Sequence, residues 1–328
     1  MNILITGGTG FLGRHLAAAL LERSEKIFLL GRNFAPVQDL VARGAVPVEV
    51  DLRDGVAVKA ACRGMELVYH VGALSAPWGR RADFFATNLG GTEALLAGCQ
   101  EWGVRRLVYI SSPSVVFDGG DQFMASEQVV YPHRFASVYS QTKKLGEDRV
   151  LAAAAAGLET VTLRPKAIFG PGDQALLPRL IAAARRQRLP QIGDGRNLVD
   201  LTYVENVVHA LLLAAEAREA VGKIYTITNG EHPPLWEVIR EVLRRLGLPD
   251  RLRAVPLPLA LAVASLMEAR AVVTGSEPLL TRYSVQILAR TQTYDISAAQ
   301  RELGYTPRIS LADGINRTLA ALKEEAKT

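Results

Sequence analysis

Tyrosine and lysine stand four residues apart in Tyr139-Ser-Gln-Thr-Lys143. On a helix that spacing turns both side chains to one face. A free phenol has a pKa near ~10, and an adjacent ammonium favours the phenolate and draws that value down. The pair therefore predicts a tyrosine that gives a proton to a carbonyl or takes one from an alcohol. Y-x-x-x-K also arises by chance as a packed tyrosine beside a solvated lysine, so the surrounding segments must decide.

The elements that must position such a pair begin at the N-terminus. Asn2-Ile-Leu-Ile-Thr6 reads as a buried strand, followed by Gly7-Gly-Thr-Gly10-Phe11-Leu12-Gly13 and a helical run from Arg14 to Arg23. Glycines let the backbone turn tightly and approach a pyrophosphate, while the helix N-terminus presents unpaired N–H groups and a positive dipole end. Strand, turn and helix together predict dinucleotide binding by Gly7, Gly10, Phe11, Leu12 and Gly13.

Further strands are expected near 26–30, 46–50, 66–71, 105–111 and 159–164, with helical runs between them. Leu107-Val-Tyr-Ile110 is apolar without a period of two, as when helices cover both sheet faces. The fold class is α/β, a doubly wound parallel sheet of Rossmann type. Ligands then lie beyond the carboxyl ends of the strands.

After the second strand, Leu30-Gly31-Arg32-Asn33 offers no carboxylate for ribose hydroxyls. The planar fork of Arg32 suits a 2′-phosphate, favouring NADP(H) over NAD(H), with Arg14 a second contact. Asp51 and Leu52 follow the third strand, placed for the adenine; an N-cap for the next helix explains Asp51 equally well. His70-Val71-Gly72-Ala73 ends the fourth strand in a turn of small residues that lets backbone approach the cofactor. A lone histidine there is a structural lining residue, without a second at metal-ligand spacing. Ser112, after the fifth strand, would polarise a substrate oxygen, although a serine there is by default a cap or turn residue.

The chain has 328 residues, 49 % hydrophobic and 22 % charged, ample for a large core in two interleaved lobes. The expected division is a dinucleotide-binding domain over 1–170, with part of 198–230 returning to it, and a substrate lobe mainly over 171–328. Cys62 and Cys99 are too few for a disulfide framework or metal cluster and read as small core residues. The first residues read as a strand, not a signal peptide, and no apolar run reaches the ~18 residues of a membrane span. A cytoplasmic protein without a transmembrane segment is expected. Val255 to Met267 suits a buried segment or substrate-channel wall, with peripheral membrane contact left open. A formal charge of +5 and a pI near 9.3 accompany scattered basic residues, Arg185, Arg186 and Arg188 forming the one dense cluster, so no nucleic acid is expected. Trp78, Trp102 and Trp236 read as packing, with Trp78 alone in a loop where substrate could touch. The Lys323 to Lys327 charge run reads as a solvated helix end.

Glycine turn, Ser112, Tyr139 and Lys143, together with Asn88-Leu-Gly-Gly-Thr92, Leu163-Arg-Pro165, Phe169-Gly-Pro171 and Asp200-Leu-Thr-Tyr-Val204, resemble the extended short-chain dehydrogenase/reductase family over essentially the whole chain. The resemblance implies that Ser112 hydrogen-bonds the carbonyl and Tyr139 exchanges the proton. It also implies that Lys143 holds the nicotinamide ribose and tunes Tyr139, with Pro165 among the cofactor-binding positions. Hydride transfer is chemistry the cofactor supplies. Ser111-Ser-Pro-Ser-Val-Val-Phe-Asp-Gly-Gly120, Gly193-Asp-Gly-Arg-Asn-Leu-Val-Asp200 and Gly275-Ser-Glu-Pro278 look like the 3β-hydroxysteroid dehydrogenase branch, near bacterial 2-alkyl-3-oxoalkanoate reductases and sterol-4α-carboxylate 3-dehydrogenases. These act on a 3-oxo or 3-hydroxy group beside a carboxylate-bearing carbon on an apolar skeleton. The resemblance also implies a homodimer through a four-helix bundle of the Tyr139 helix and the helix near 83–102.

An alkyl or sterol body would bury against Leu176 to Gln187, Leu235 to Leu246 and Val255 to Met267, at ~0.8 kcal/mol per methylene. A substrate carboxylate would need a cation, for which Lys166, Arg80 and Arg81 are candidates, each with a surface residue as the plainer reading. Members of the branch often carry histidine where Lys166 stands. Two other readings compete. A nucleotide-sugar epimerase or dehydratase would use Arg185, Arg186 and Arg196 on a diphosphate, and a regulator would sense NADP(H) without turning it over.

Overall fold

A computed structural model describes residues 1–175 and 177–325. In chain order its strands are β1 (Asn2–Thr6), β2 (Lys26–Gly31), β3 (Val46–Glu49), β4 (Leu67–His70), β5 (Arg106–Ile110), β6 (Gln122–Ala125), β7 (Glu159–Pro165), β8 (Ile168–Phe169), β9 (Gln191–Ile192), β10 (Thr202–Tyr203), β11 (Lys223–Ile227), β12 (Ala254–Val255) and β13 (Gln292–Tyr294). Seven of them form one parallel sheet in the order β11-β7-β5-β4-β1-β2-β3. The order reverses at β1, whose neighbours are β2 and β4, so the crevice at its carboxyl end is where such a sheet takes a ligand.

Successive side chains of each strand feed opposite layers. Ile3 and Ile5 join a core with α1 (Phe11–Glu22), whereas Leu4 joins a second core beneath the other face. The short α2 (Gln38–Ala42) follows β2. The second core holds Val58 and Cys62 near α3 (Gly55–Ala60), with α4 (Arg81–Phe84) leading into α5 (Gly91–Trp102) and with α6 (Val138–Ala155) beyond. Cys62 and Cys99 are buried free thiols there. Both faces being covered explains why the strands read as unbroken apolar runs.

Beyond β7 the chain leaves the sheet through α7 (Leu177–Arg185) and returns by α8 (Val204–Glu216) and β11, which pairs with β7. Then come α9 (Leu235–Arg245), α10 (Leu257–Thr274), α11 (Arg282–Ala289), α12 (Ser297–Leu303) and α13 (Leu311–Glu325). Leu176, expected to head an apolar face, and the end of the Lys323 to Lys327 run lie outside the described residues.

Two expectations fail here. The Val255 to Met267 stretch is not a buried wall: most of it lies in α10, which runs for 18 residues and buries Ala260, Ala264 and Ala271 alone. By length and composition α10 is long and apolar enough to cross a membrane, although no apolar run was expected to reach that length. Trp102 is 38 % exposed under the Arg63 guanidinium, whereas Trp236 is wholly buried and donates to Leu288 O at 3.1 Å.

Candidate active site

Ser137 caps α6, its Oγ accepting from Ser140 N at 3.0 Å, and this start places Tyr139 in the first turn and Lys143 one turn on. Lys143 is buried with its Nζ 4.1 Å from the centre of the Tyr109 ring. That approach depends on Gly146, where a Cβ would stand 2.3 Å from the Tyr109 hydroxyl. One turn further, Glu147 is fully buried and accepts from Arg164 Nε and Nη2, both at 2.7 Å, tying α6 to β7. Tyr131 completes the cluster, donating to Glu147 Oε2 at 3.1 Å.

Burial draws Lys143 down to about 7, opposed by the Glu147 carboxylate. Tyr139 behaves differently from expectation. Its phenol is raised by burial, and the groups that pull it back are the Ser75 and Ser112 hydroxyls, not the lysine, whose head faces Tyr109. Ser112 opens a short turn, its Oγ accepting from Ser114 N at 3.2 Å, and borders the phenol from the end of β5.

Ser75 had no signal in the sequence, because its loop has no regular structure. Asn88 holds that loop: its Oδ1 accepts from Leu74 N at 2.7 Å, and its Nδ2 donates to Leu74 O at 3.1 Å and to Thr142 Oγ1 at 3.0 Å. Asn88 lies in the π-helical turn Phe85–Gly90 and so clamps the Ser75 loop to the helix that carries Tyr139. Tyr283, on α11, is another unforeseen neighbour. Burial and the nearby Tyr139 raise its phenol, and its ring meets Phe117 edge-on at 6.4 Å.

At the carboxyl end of β1 the turn is closed so tightly that side chains are excluded. A Cβ on Gly7, at φ +65°, would meet Gly72 Cα at 2.5 Å, and one on Gly13 would meet Gly7 O at 2.2 Å. Gly10 caps α1 without a side-chain bond, leaving the amides at Phe11 and Leu12 in the first turn. Gly72 N donates to Thr6 Oγ1 at 3.1 Å, Thr6 pairs with His70 Nδ1 at 2.7 Å, and His70 Nε2 pairs with Thr92 Oγ1 at 2.8 Å. Because Thr92 Oγ1 donates to Asn88 O at 2.6 Å, the chain assigns His70 the Nε2–H tautomer, and burial holds it neutral with a pKa of about 3. His70 thus fastens the Val71-Gly72-Ala73 turn against β1. Leu52 enters the same crevice, its Cδ1 2.9 Å from where a Gly72 Cβ would be. Pro165 ends β7 beside Ile227.

Arg32 is 73 % exposed and 3.8 Å from Asp51, which is no N-cap: Asp54 caps α3, accepting from Ala57 N at 3.1 Å. Asp51 instead pairs with Arg53 at 2.7 Å, which holds its carboxyl down at about 2. Arg14 is spoken for, donating to Gly172 O at 3.2 Å. These residues fit a dinucleotide, with side chains excluded from the turn, helix amides presented at its rim and a guanidinium beyond β2.

Lys166 is buried, not a surface residue, and donates to Gln292 Oε1 at 2.6 Å; burial draws it down to about 8. It lines a cavity of about 110 Å³ whose other walls include Leu177, Leu235, Ile239, Leu288 and Leu319. Arg80 and Arg81 are exposed, Arg81 over the Phe85 ring at 4.6 Å, and Arg185, Arg186 and Arg196 are likewise on the surface. A larger cleft of about 540 Å³, lined by Arg23, Arg105, Glu159 and Glu216, lies at the amino ends of β1, β4 and β5, opposite the chemistry.

Residues 4–259 match the model of the 3-beta hydroxysteroid dehydrogenase/isomerase family. A 2-alkyl-3-oxoalkanoate reductase of Stenotrophomonas maltophilia is 37 % identical, covering 98 % of this chain and 99 % of its own. A decarboxylating sterol-4-alpha-carboxylate 3-dehydrogenase of Saccharomyces cerevisiae is 34 % identical, covering 98 % of each. Among solved structures, MoeE5 in complex with UDP-glucose and NAD superposes with a TM-score of 0.80 at 26 % identity, covering 99 % of this chain and 100 % of its own.

Proposed function

The chain belongs to the 3-beta hydroxysteroid dehydrogenase/isomerase family of NAD(P)-dependent oxidoreductases, and we propose that it uses NADP(H) to interconvert a 3-oxo and a 3-hydroxy group on a long-chain or sterol-like carboxylic acid, a 2-alkyl-3-oxo acid being the leading substrate. When bound, the nicotinamide supplies the hydride. Tyr139 supplies or removes the proton at the substrate oxygen, with Ser112 and Ser75 beside its hydroxyl. Lys143, buried one turn away, offers a cation below about pH 7 to the nucleotide ribose and to developing charge at the phenol.

The observation that carries the substrate class is Lys166 at an otherwise apolar cavity. Among the described residues no carboxylate contacts this buried ammonium, Asp200 favouring its charge only from a longer range, and an acid group bound to it would offset the cost of burial. The walls suit methylenes better than a diphosphate, which argues against a nucleotide-sugar epimerase or dehydratase. Arg32 supports NADP(H), since Asp51, the carboxylate it approaches, is already balanced by Arg53.

The reading is tested by NADPH consumption across 3-oxo acids, sterols and nucleotide sugars, with Lys166→Met beside the parent. A 2-alkyl-3-oxo acid should be the best substrate. The variant should raise KM for the acid at least ~10-fold, as for one lost charge-assisted contact, and leave the matching neutral ketone unchanged. Preference for a nucleotide sugar, or equal losses on acid and ketone, would remove the proposal.

A further inference from the structure

We propose that the outward face of α10 docks on a bilayer containing anionic phospholipids, the helix lying in the plane of the interface. Its inner face, Ala260, Ala264 and Ala271, rests on the protein, while Leu259, Val263, Leu266 and Val273 are 56, 36, 72 and 87 % exposed. Their spacing puts them on one side of the helix, an apolar strip from Leu259 to Leu266 that resumes at Val273 beyond the exposed Arg270. Such a strip unprotected from water marks an interaction surface.

Charge identifies the occupant. β12 enters α10 and pairs with β9, and Gln191 N donates to Arg253 O at 3.0 Å, so the segment that follows α7 and ends in β9 adjoins residues 253–255. Arg185, Arg186, Arg188, Arg251 and Arg253 are exposed there, and among the described residues none of them pairs with a carboxylate. The acidic groups near the other end are balanced, Glu268 by Arg282 at 2.8 Å and Glu277 by Arg179 at 3.5 Å, and Arg270 is exposed. Both ends of the strip are therefore cationic. A second copy packed along it would set cation against cation, whereas lipid phosphates and acyl chains satisfy both features at once. The buried alanine face and the Glu268–Arg282 pair hold α10 to the protein, so the helix lies on the membrane and does not cross it. α11, packed on α10, carries Tyr283 beside Tyr139 and Leu288 on the Lys166 cavity. Docking would thus bring the substrate lobe to a phase where apolar molecules dissolve.

The test is co-sedimentation of the full chain with vesicles of phosphatidylcholine alone or with about 30 % phosphatidylglycerol. Binding should be at least ~10-fold stronger to the anionic vesicles, and Leu266→Glu should lower it ~10-fold while the melting temperature holds. Arg251→Gln with Arg253→Gln should reduce only the anionic preference. Leu266→Trp should show emission quenched by brominated acyl chains beyond that of the parent, which covers misfolding of the glutamate variant. Absent binding to both vesicles, binding indifferent to Leu266→Glu, or a lipid-free oligomer that Leu266→Glu dissociates would overturn the proposal, the last by assigning the face to another copy.

Discussion

The proton transfer proposed at Tyr139 rests on one hydroxyl. Tyr139→Phe should lower kcat by ~10²–10⁴-fold, the usual worth of a positioned acid or base, while nucleotide binding, followed by fluorescence, stays near the parent value; undiminished turnover would end its assignment. Arg32→Ala should weaken NADPH by ~1.5–3 kcal/mol and NADH little, read from paired titrations. Lys166 ties function to stability. Burial holds its folded pKa at about 8, below the ordinary 10.5, so the unfolded chain binds more protons between those values and stability rises with pH across that window. Lys166→Met should therefore melt higher than the parent at pH 7, with the gap closing toward pH 10.5. A gap independent of pH would mean that packing, not charge, sets it.

Local elements were readable where backbone geometry depends on residue type. The glycine turn is one case, since Gly7 and Gly13 tolerate no Cβ. The α6 start is another, since Ser137 caps it two residues before Tyr139. Less readable was whatever depends on partners far along the chain. Asn88 appeared only as part of a motif, yet its amide joins the Ser75 loop to α6. Asn88→Ala should leave the Leu74 amide unpaired, while Thr142 Oγ1 keeps its bond to Tyr139 O, costing ~1–3 kcal/mol in unfolding free energy and lowering kcat more than nucleotide affinity. Denaturant melts alongside single-turnover rates would separate the two, and an unchanged kcat would show that the Ser75 loop needs no clamp. α10 was misread because apolar composition does not say which side of a helix meets protein.

At the scale of the molecule, we expect a homodimer through α5 and α6. Light scattering at micromolar concentration should give twice the chain mass of 35.5 kDa, and Leu266→Glu should leave it there; a monomer would remove the expectation. Order of elements, the parallel sheet and the identity of the glycine turn, serine, tyrosine and lysine were all written in residue type and spacing, because strand and helix periods and backbone sterics act over a few residues. Folding alone could establish that Lys143 turns to Tyr109, that burial raises Tyr139, and that Lys166 is interior at an apolar cavity. Those properties are set by desolvation and by neighbours 34 to 126 positions distant, distances over which a linear reading of side chains carries no information about contact.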